Sequence, residues 1–268
     1  SGKSSSNCYV GALAAVADGT HIENCYNSEP ISCSTAGENF PDCHTGGLVG
    51  YANSAIISNS YNLGSVSGSA SSNTGTSSST TYSYGLTGGI AGDTNLSTLT
   101  NCYNTGTITG SCYSSEDNFW AQSRTGGLVG DLSSTSITSS YNTGTILGKG
   151  TNMQCYAGGL AGYATAITLV DSSNSGSVTG RYYNPLNYSS SGEMSYAGGL
   201  LGYIRSGSLT TSYNSGAVIA TSTKFGVTAG GLAGAAYANV TISTCFNRGT
   251  IDANTPTSSS ACIVIGRV

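Results

Sequence analysis

Charge is nearly missing from this chain. Only 7% of its residues are Asp, Glu, Lys or Arg, where ordinary soluble domains carry about 25%. The 8 basic residues and a net charge of −4 leave no positive patch able to follow a phosphate backbone, so no nucleic-acid partner is expected. No apolar run approaches the ~18 residues that a spanning helix needs, so no membrane span is expected either. Histidine is reduced to His21 and His44, with no His-Glu-x-x-His pair for a zinc centre, and no Gly-x-Ser-x-Gly elbow marks a serine hydrolase. Gly2-Lys3-Ser4 imitates the end of a phosphate loop but lacks the upstream glycine and preceding strand. Nothing here calls for a cofactor or makes the chain an enzyme. Disorder is excluded from the other side, because 38% of the residues are hydrophobic and 18 are Tyr.

What the chain has in abundance is glycine, at 39 positions, in a repeat. Gly46-Gly47-Leu48-Val49-Gly50 returns in near-copy at Gly88, Gly126, Gly158, Gly198 and Gly230, with degenerate copies at Gly11 and Cys262. The starts at 11, 46, 88, 126, 158, 198, 230 and 262 make residues 1–268 one repeat domain. Eleven residues after each start comes an aliphatic (Ile22, Ile57, Leu99, Ile137, Leu169, Leu209), and twenty after it another (Ile31, Val66, Ile108, Ile146, Val178, Val218). One extra residue shifts these to Ile242 and Ile251 in the seventh copy. Between them recurs Ser/Cys-Tyr-Asn, as Cys25-Tyr26-Asn27, Ser60-Tyr61-Asn62 and onward to Cys245-Phe246-Asn247, with Ser173-Asn174 as the copy without an aromatic ring.

So much Gly and Ser defeats any helical period, while short segments of Val, Ile, Thr and Tyr between turn residues favour strands. The pattern predicts a right-handed parallel β-solenoid of about seven coils, three short strands to each, with equivalent residues stacked ~4.8 Å apart. The Asn at one place in every coil is expected to form a ladder of stacked amides. Long loops are expected at 69–87, 111–125 and 181–197.

The Gly-Gly-Leu-Val-Gly start, the Ser-Tyr-Asn-x-Gly middle and the Val-x-Gly finish resemble the GLUG motif over nearly the whole chain, from about residue 11 onward. GLUG repeats occur in bacterial surface and secreted proteins, including adhesin-like proteins and the metallopeptidases that cleave immunoglobulin A. The resemblance implies an extracellular bacterial β-solenoid region of a larger chain, and it brings no catalytic residue with it. The opening Ser1-Gly2-Lys3, without a signal peptide, fits a piece of such a chain. The expected role is a non-enzymatic, adhesin-like stalk or binding segment. An accessory spacer of a secreted peptidase is the alternative, and a carbohydrate-active solenoid a weaker one.

Two sets of residues are candidates. The connectors carry Tyr113, Phe119, Trp120, Tyr156, Tyr182, Tyr183 and Tyr188, rings suited to stacking on a host glycan or to contact with a host protein. The plainer explanation is that they cover the outer face of the first strand at Val49, Ala91 and their equivalents. The second set is Asp93 and Asp131, equivalent positions on successive coils with tyrosines on either side. Carboxylates about 5 Å apart fit a retaining glycosidase or a hard cation, whereas exposed Asp side chains at a turn commonly diverge into water. Among the nine cysteines, Cys25, Cys102 and Cys245 share a column with serines and read as small fillers. Cys8 with Cys43, with Cys33 competing, and Cys112 with Cys155 are the pairs that could bridge. The odd number leaves at least one thiol unpaired within the chain.

Overall fold

The structure, a computed structural model, describes residues 7–37, 41–72, 81–115, 119–184, 195–224, 226–256 and 259–262. Within them the chain is all β and winds as a parallel solenoid of about seven coils. Each coil contributes five strands to five parallel sheets, one of eight strands and four of seven. In the second coil these are Cys43–Gly46 in the first sheet, Val49–Asn53 in the second and Ile56–Ser58 in the third. Tyr61–Asn62 lies in the fourth and Val66–Ser72 in the fifth.

The sequence columns become spatial columns. Ile22, Ile57, Leu99, Ile137, Leu169, Leu209 and Ile242 are register partners in the third sheet. Ile31, Val66, Ile108, Ile146, Val178, Val218 and Ile251 are partners in the fifth. The cross-section has two lobes. Leu48, Ala52, Ile57 and their equivalents fill one lobe, enclosed by the second, third and fourth sheets. Smaller clusters fill the other, between the fifth sheet and the first, around Ile108, Ala157 and Cys112. The second corner of the larger lobe is turned by residues with positive φ: Asn24, Asn59, Asn101, Ser139, Asp171, Thr211 and Thr244. Asn and Asp enter this left-handed region at lower cost than most residues, which accounts for their share of the column.

The glycine pair and the Asn belong to one joint. Each Asn from Asn27 to Asn214 donates a 2.8 Å hydrogen bond from Nδ2 to Oδ1 of the Asn in the next coil, ending on Asn247. The same amide donates to the carbonyl two residues on, as Asn104 does to Gly106 at 2.8 Å. A Cβ on Gly89 would fall 2.5 Å from Asn104 Cγ and overlap the Gly127 carbonyl oxygen. The second glycine of each start is therefore the space in which the ladder stands.

Three expectations change. A coil has five strands where three were expected, because the chain turns at the glycine pair and again either side of the Tyr-Asn step. Among the described residues the connectors are largely strand: Val66–Ser72 and Thr81–Gly88 flank 73–80, Ile108–Ser114 and Phe119–Gly126 flank 116–118, and Val178–Tyr183 and Ser195–Gly198 lie either side of the third long insertion. Finally, Val49, Ala91, Val129, Ala161, Leu201 and Ala233 do not face outward; they are fully buried in the larger lobe. The chain bends there, so Leu48 and Val49, though consecutive, both face the interior, and no loop ring is needed to cover them.

Candidate functional site

Two outward-facing sets of side chains stand out. The first fills the re-entrant corner where the first and second sheets meet. Residues two places before each repeat start (Tyr9, His44, Leu86, Arg124, Tyr156, Tyr196, Thr228) form one wall, in register along the first sheet. Tyr51, Asp93, Asp131, Tyr163 and Tyr203 form the other. Asp93 and Asp131 are direct register partners, as their spacing predicts.

The opposite wall engages Asp131 by a hydrogen bond, whereas His44 approaches Asp93 without forming one. Arg124 Nη1 donates to Asp131 Oδ2, and His44 Nδ1 lies 3.4 Å from Asp93 Oδ2. The Arg124 guanidinium also covers the Tyr163 ring at 4.0 Å and approaches Tyr84 at 4.8 Å. Burial pushes the Asp131 carboxyl upward and nearby Asp93 adds to this, while the guanidinium opposes both. Asp131 in turn helps hold Arg124 firmly protonated against the cost of burial. Among the described residues, no three or more His, Cys, Asp or Glu side chains converge to hold a metal ion. Chemically, the corner is a charge pair set among packed rings: Tyr156 stacks on Tyr196 at 5.2 Å and meets Tyr163 edge-on at 5.4 Å.

The second set is a tyrosine ladder on the fourth sheet. Tyr26, Tyr61, Tyr103 and Tyr141 stack with centroids 5.2, 4.6 and 4.9 Å apart and planes within 10° of parallel. Their neighbours in sequence, the ladder asparagines, point inward, so strand alternation sends the rings out. Tyr26 is 58% exposed and Tyr141 40%. Ser173 interrupts the row, which resumes with Tyr213 stacked on Phe246 at 5.0 Å and Arg248 over Phe246 at 4.9 Å.

The residues singled out from the sequence do not assemble on one set of loops. Tyr113 and Tyr183 are exposed on fifth-sheet strands, on either side of Thr151 in register. Tyr182 is buried, and Tyr156 is buried in the corner. Phe119 and Trp120 lie on the first-sheet strand Phe119–Gly126, paired with Thr81 and Tyr82, and their side chains lie outside the described residues. Tyr188 also lies outside them. Arg124 falls in a connector, where polar residues are candidates for binding, whereas His44 and the tyrosine ladder carry no expectation as surface features. Their signal was present, as a fixed place before each repeat start and as the middle residue of each Ser/Cys-Tyr-Asn triplet.

The cysteines whose side chains are described are all free thiols. Cys25 and Cys102 sit in the serine column, where Ser60 and Ser140 Oγ accept their backbone N–H groups at 3.1 and 3.0 Å. Cys112 and Cys155 lie on different sheets, so stacking does not pair them. Cys8 and Cys43 are register neighbours. Cys33 packs with them, and the hydrogen bond from its thiol lowers the Cys43 thiol to about 7.

No described helix is long and apolar enough to cross a membrane. Comparison of the chain with protein-family models, with curated proteins and with solved structures finds no match.

Proposed function

We propose that this chain is a non-enzymatic, extracellular module of a bacterial surface protein, of GLUG-repeat type and adhesin-like. It would act as a rigid rod that presents aromatic columns to a host glycan or host protein. The observation that carries this reading is the tyrosine ladder, four stacked rings on the solvent side of a sheet whose stability is supplied from within. Contiguous exposed rings are uncommon on proteins that bind nothing, and Tyr offers large contact area at little conformational cost. The engagement of Asp131 by Arg124 and the closeness of His44 to Asp93 support a binding role over a hydrolytic one. Asp131, tied to a guanidinium, does not stand apart as a free nucleophile or acid.

The test is an array of host glycans and host proteins probed with the purified chain, with each retained ligand examined by mass spectrometry after incubation. Retention of at least one ligand, recovered intact, is expected. An empty array, or a ligand recovered cleaved, would overturn the proposal.

A further inference from the structure

The tyrosine ladder has one vacant rung. Tyr141 and Tyr213 are each in register with Ser173, so they stand two strand spacings apart, about 9.6 Å, with a small hydroxyl side chain between them. Both walls are braced from behind: Tyr141 lies 2° from parallel with Tyr103, and Tyr213 lies 3° from parallel with Phe246. Both remain open in front, 40% and 39% exposed. A flat ring placed midway would lie ~4.8 Å from each wall, the interval at which the ladder's own rings stack, 4.6–5.2 Å.

We infer that this vacancy is a binding slot for a single pyranose ring of a carbohydrate, a deeper statement of the proposed function that rests on it. The walls supply two aromatic faces for the C–H faces of the sugar. The floor and rim supply hydroxyl and carboxylate groups in place of apolar ones. Ser173 forms the floor, and exposed Asp171 and Ser175 stand two residues to either side. Asp171 Oδ1 accepts the Thr211 hydroxyl, which ties that rim residue to the next coil. An aromatic ligand would leave these polar groups unused, whereas the hydroxyls of a sugar lie at the edge of its ring and would meet them. The rigid stack prevents the walls from collapsing onto each other, so the slot is open before the ligand arrives.

Methyl pyranosides of glucose, galactose, N-acetylglucosamine and fucose are the probes, with affinity read by saturation-transfer NMR and calorimetry. The wild-type chain is expected to bind at least one of them. Ser173→Tyr, which completes the ladder, and Tyr141→Ala, which removes a wall, should each weaken that binding at least tenfold. Tyr237→Ser, at an exposed ring remote from the ladder, should leave it within twofold. Ser173→Tyr adds a ring at the natural stacking distance, so its thermal stability should hold, and it remains a test even if Tyr141→Ala fails to fold. Equal binding by wild type and Ser173→Tyr would overturn the slot. So would binding of phenol but of no pyranoside, or no binding at all. In each case, glycan or protein retention on the array would leave the broader recognition role standing, and an empty array would end both.

Discussion

Asn62 and Asn104, 42 residues apart in sequence, are joined by a 2.8 Å hydrogen bond from Nδ2 to Oδ1, both side chains fully buried. That bond repeats coil after coil, and it makes Asn104 a double hinge. It accepts from Asn62 and donates to both Asn142 and Gly106. Asn104→Ala would leave a buried donor above, a buried acceptor below and the Gly106 carbonyl short of a partner. Each such loss costs about 1–3 kcal/mol. A destabilisation of about 3 kcal/mol or more is expected by urea unfolding. Asn247→Ala, at the half-buried end of the ladder, should cost about 1 kcal/mol.

Arg124 is a partner that Asp131 needs. Arg124→Met leaves a carboxylate that is 18% exposed without its cation, and breaking such a pair commonly costs about 3–5 kcal/mol. Partial exposure places the expected loss nearer 2–3 kcal/mol. Pairing it with Asp131→Leu should recover most of that loss, because the rings that line the corner accept apolar neighbours. A single variant as stable as wild type in a thermal melt would contradict the geometry of the corner.

Three buried thiols set an alkaline limit. Burial raises Cys102 to about 11, and Cys112 and Cys155 to about 12, from an ordinary 9.0. The unfolded chain loses these protons at lower pH than the folded chain does. Their contribution is therefore complete below about pH 9 and disappears as pH rises through 11–12. Melting temperature should be flat up to about pH 9 and fall steeply beyond it. The Cys112→Ala, Cys155→Ala double variant should fall less steeply, and an identical slope would show that other groups set the limit.

Leu96 holds a left-handed backbone at φ 50° while its side chain is 62% exposed, and the equivalent place in the first coil is Gly19 at φ 56°. A left-handed conformation costs a residue with a Cβ roughly 1–2 kcal/mol, part of which glycine returns through its freer unfolded state. Leu96→Gly should therefore stabilise the chain by about 0.5–1 kcal/mol in chemical denaturation.

The coil was legible because a parallel solenoid writes each interior column as a fixed offset. Ile57, Leu99 and Ile137 are eleven residues past their glycine starts and lie in register. The same holds for Asp93 and Asp131, and for the asparagines. The bends were not legible. Strict alternation would send Leu48 in and Val49 out, but a turn between them buries both, and nothing in residue type announces that turn beyond the glycines themselves. The connectors looked like loops because Ser and Gly dominate them, yet strand pairing with the coils above and below overrides that preference. Arg124 and His44 gave the weakest signal: each occurs once in a column otherwise held by Tyr, Leu, Thr and Ser, so only the folded corner reveals what they face.

The central claim is a division of labour between adjacent residues, with Asn104 holding the coils together from inside and Tyr103 facing a partner outside. The direct test compares Asn104→Ala with Tyr103→Ser, each measured for urea stability and for retention on the glycan and protein array. Tyr103 stacks on rings above and below, contacts worth about 0.5–1.5 kcal/mol each, so its variant should lose no more than about 1–3 kcal/mol, stay folded and lose the ligand. Asn104→Ala should lose more stability and, where still folded, keep the ligand. A Tyr103→Ser chain that unfolds more readily than Asn104→Ala, or that binds as well as wild type, would contradict the account.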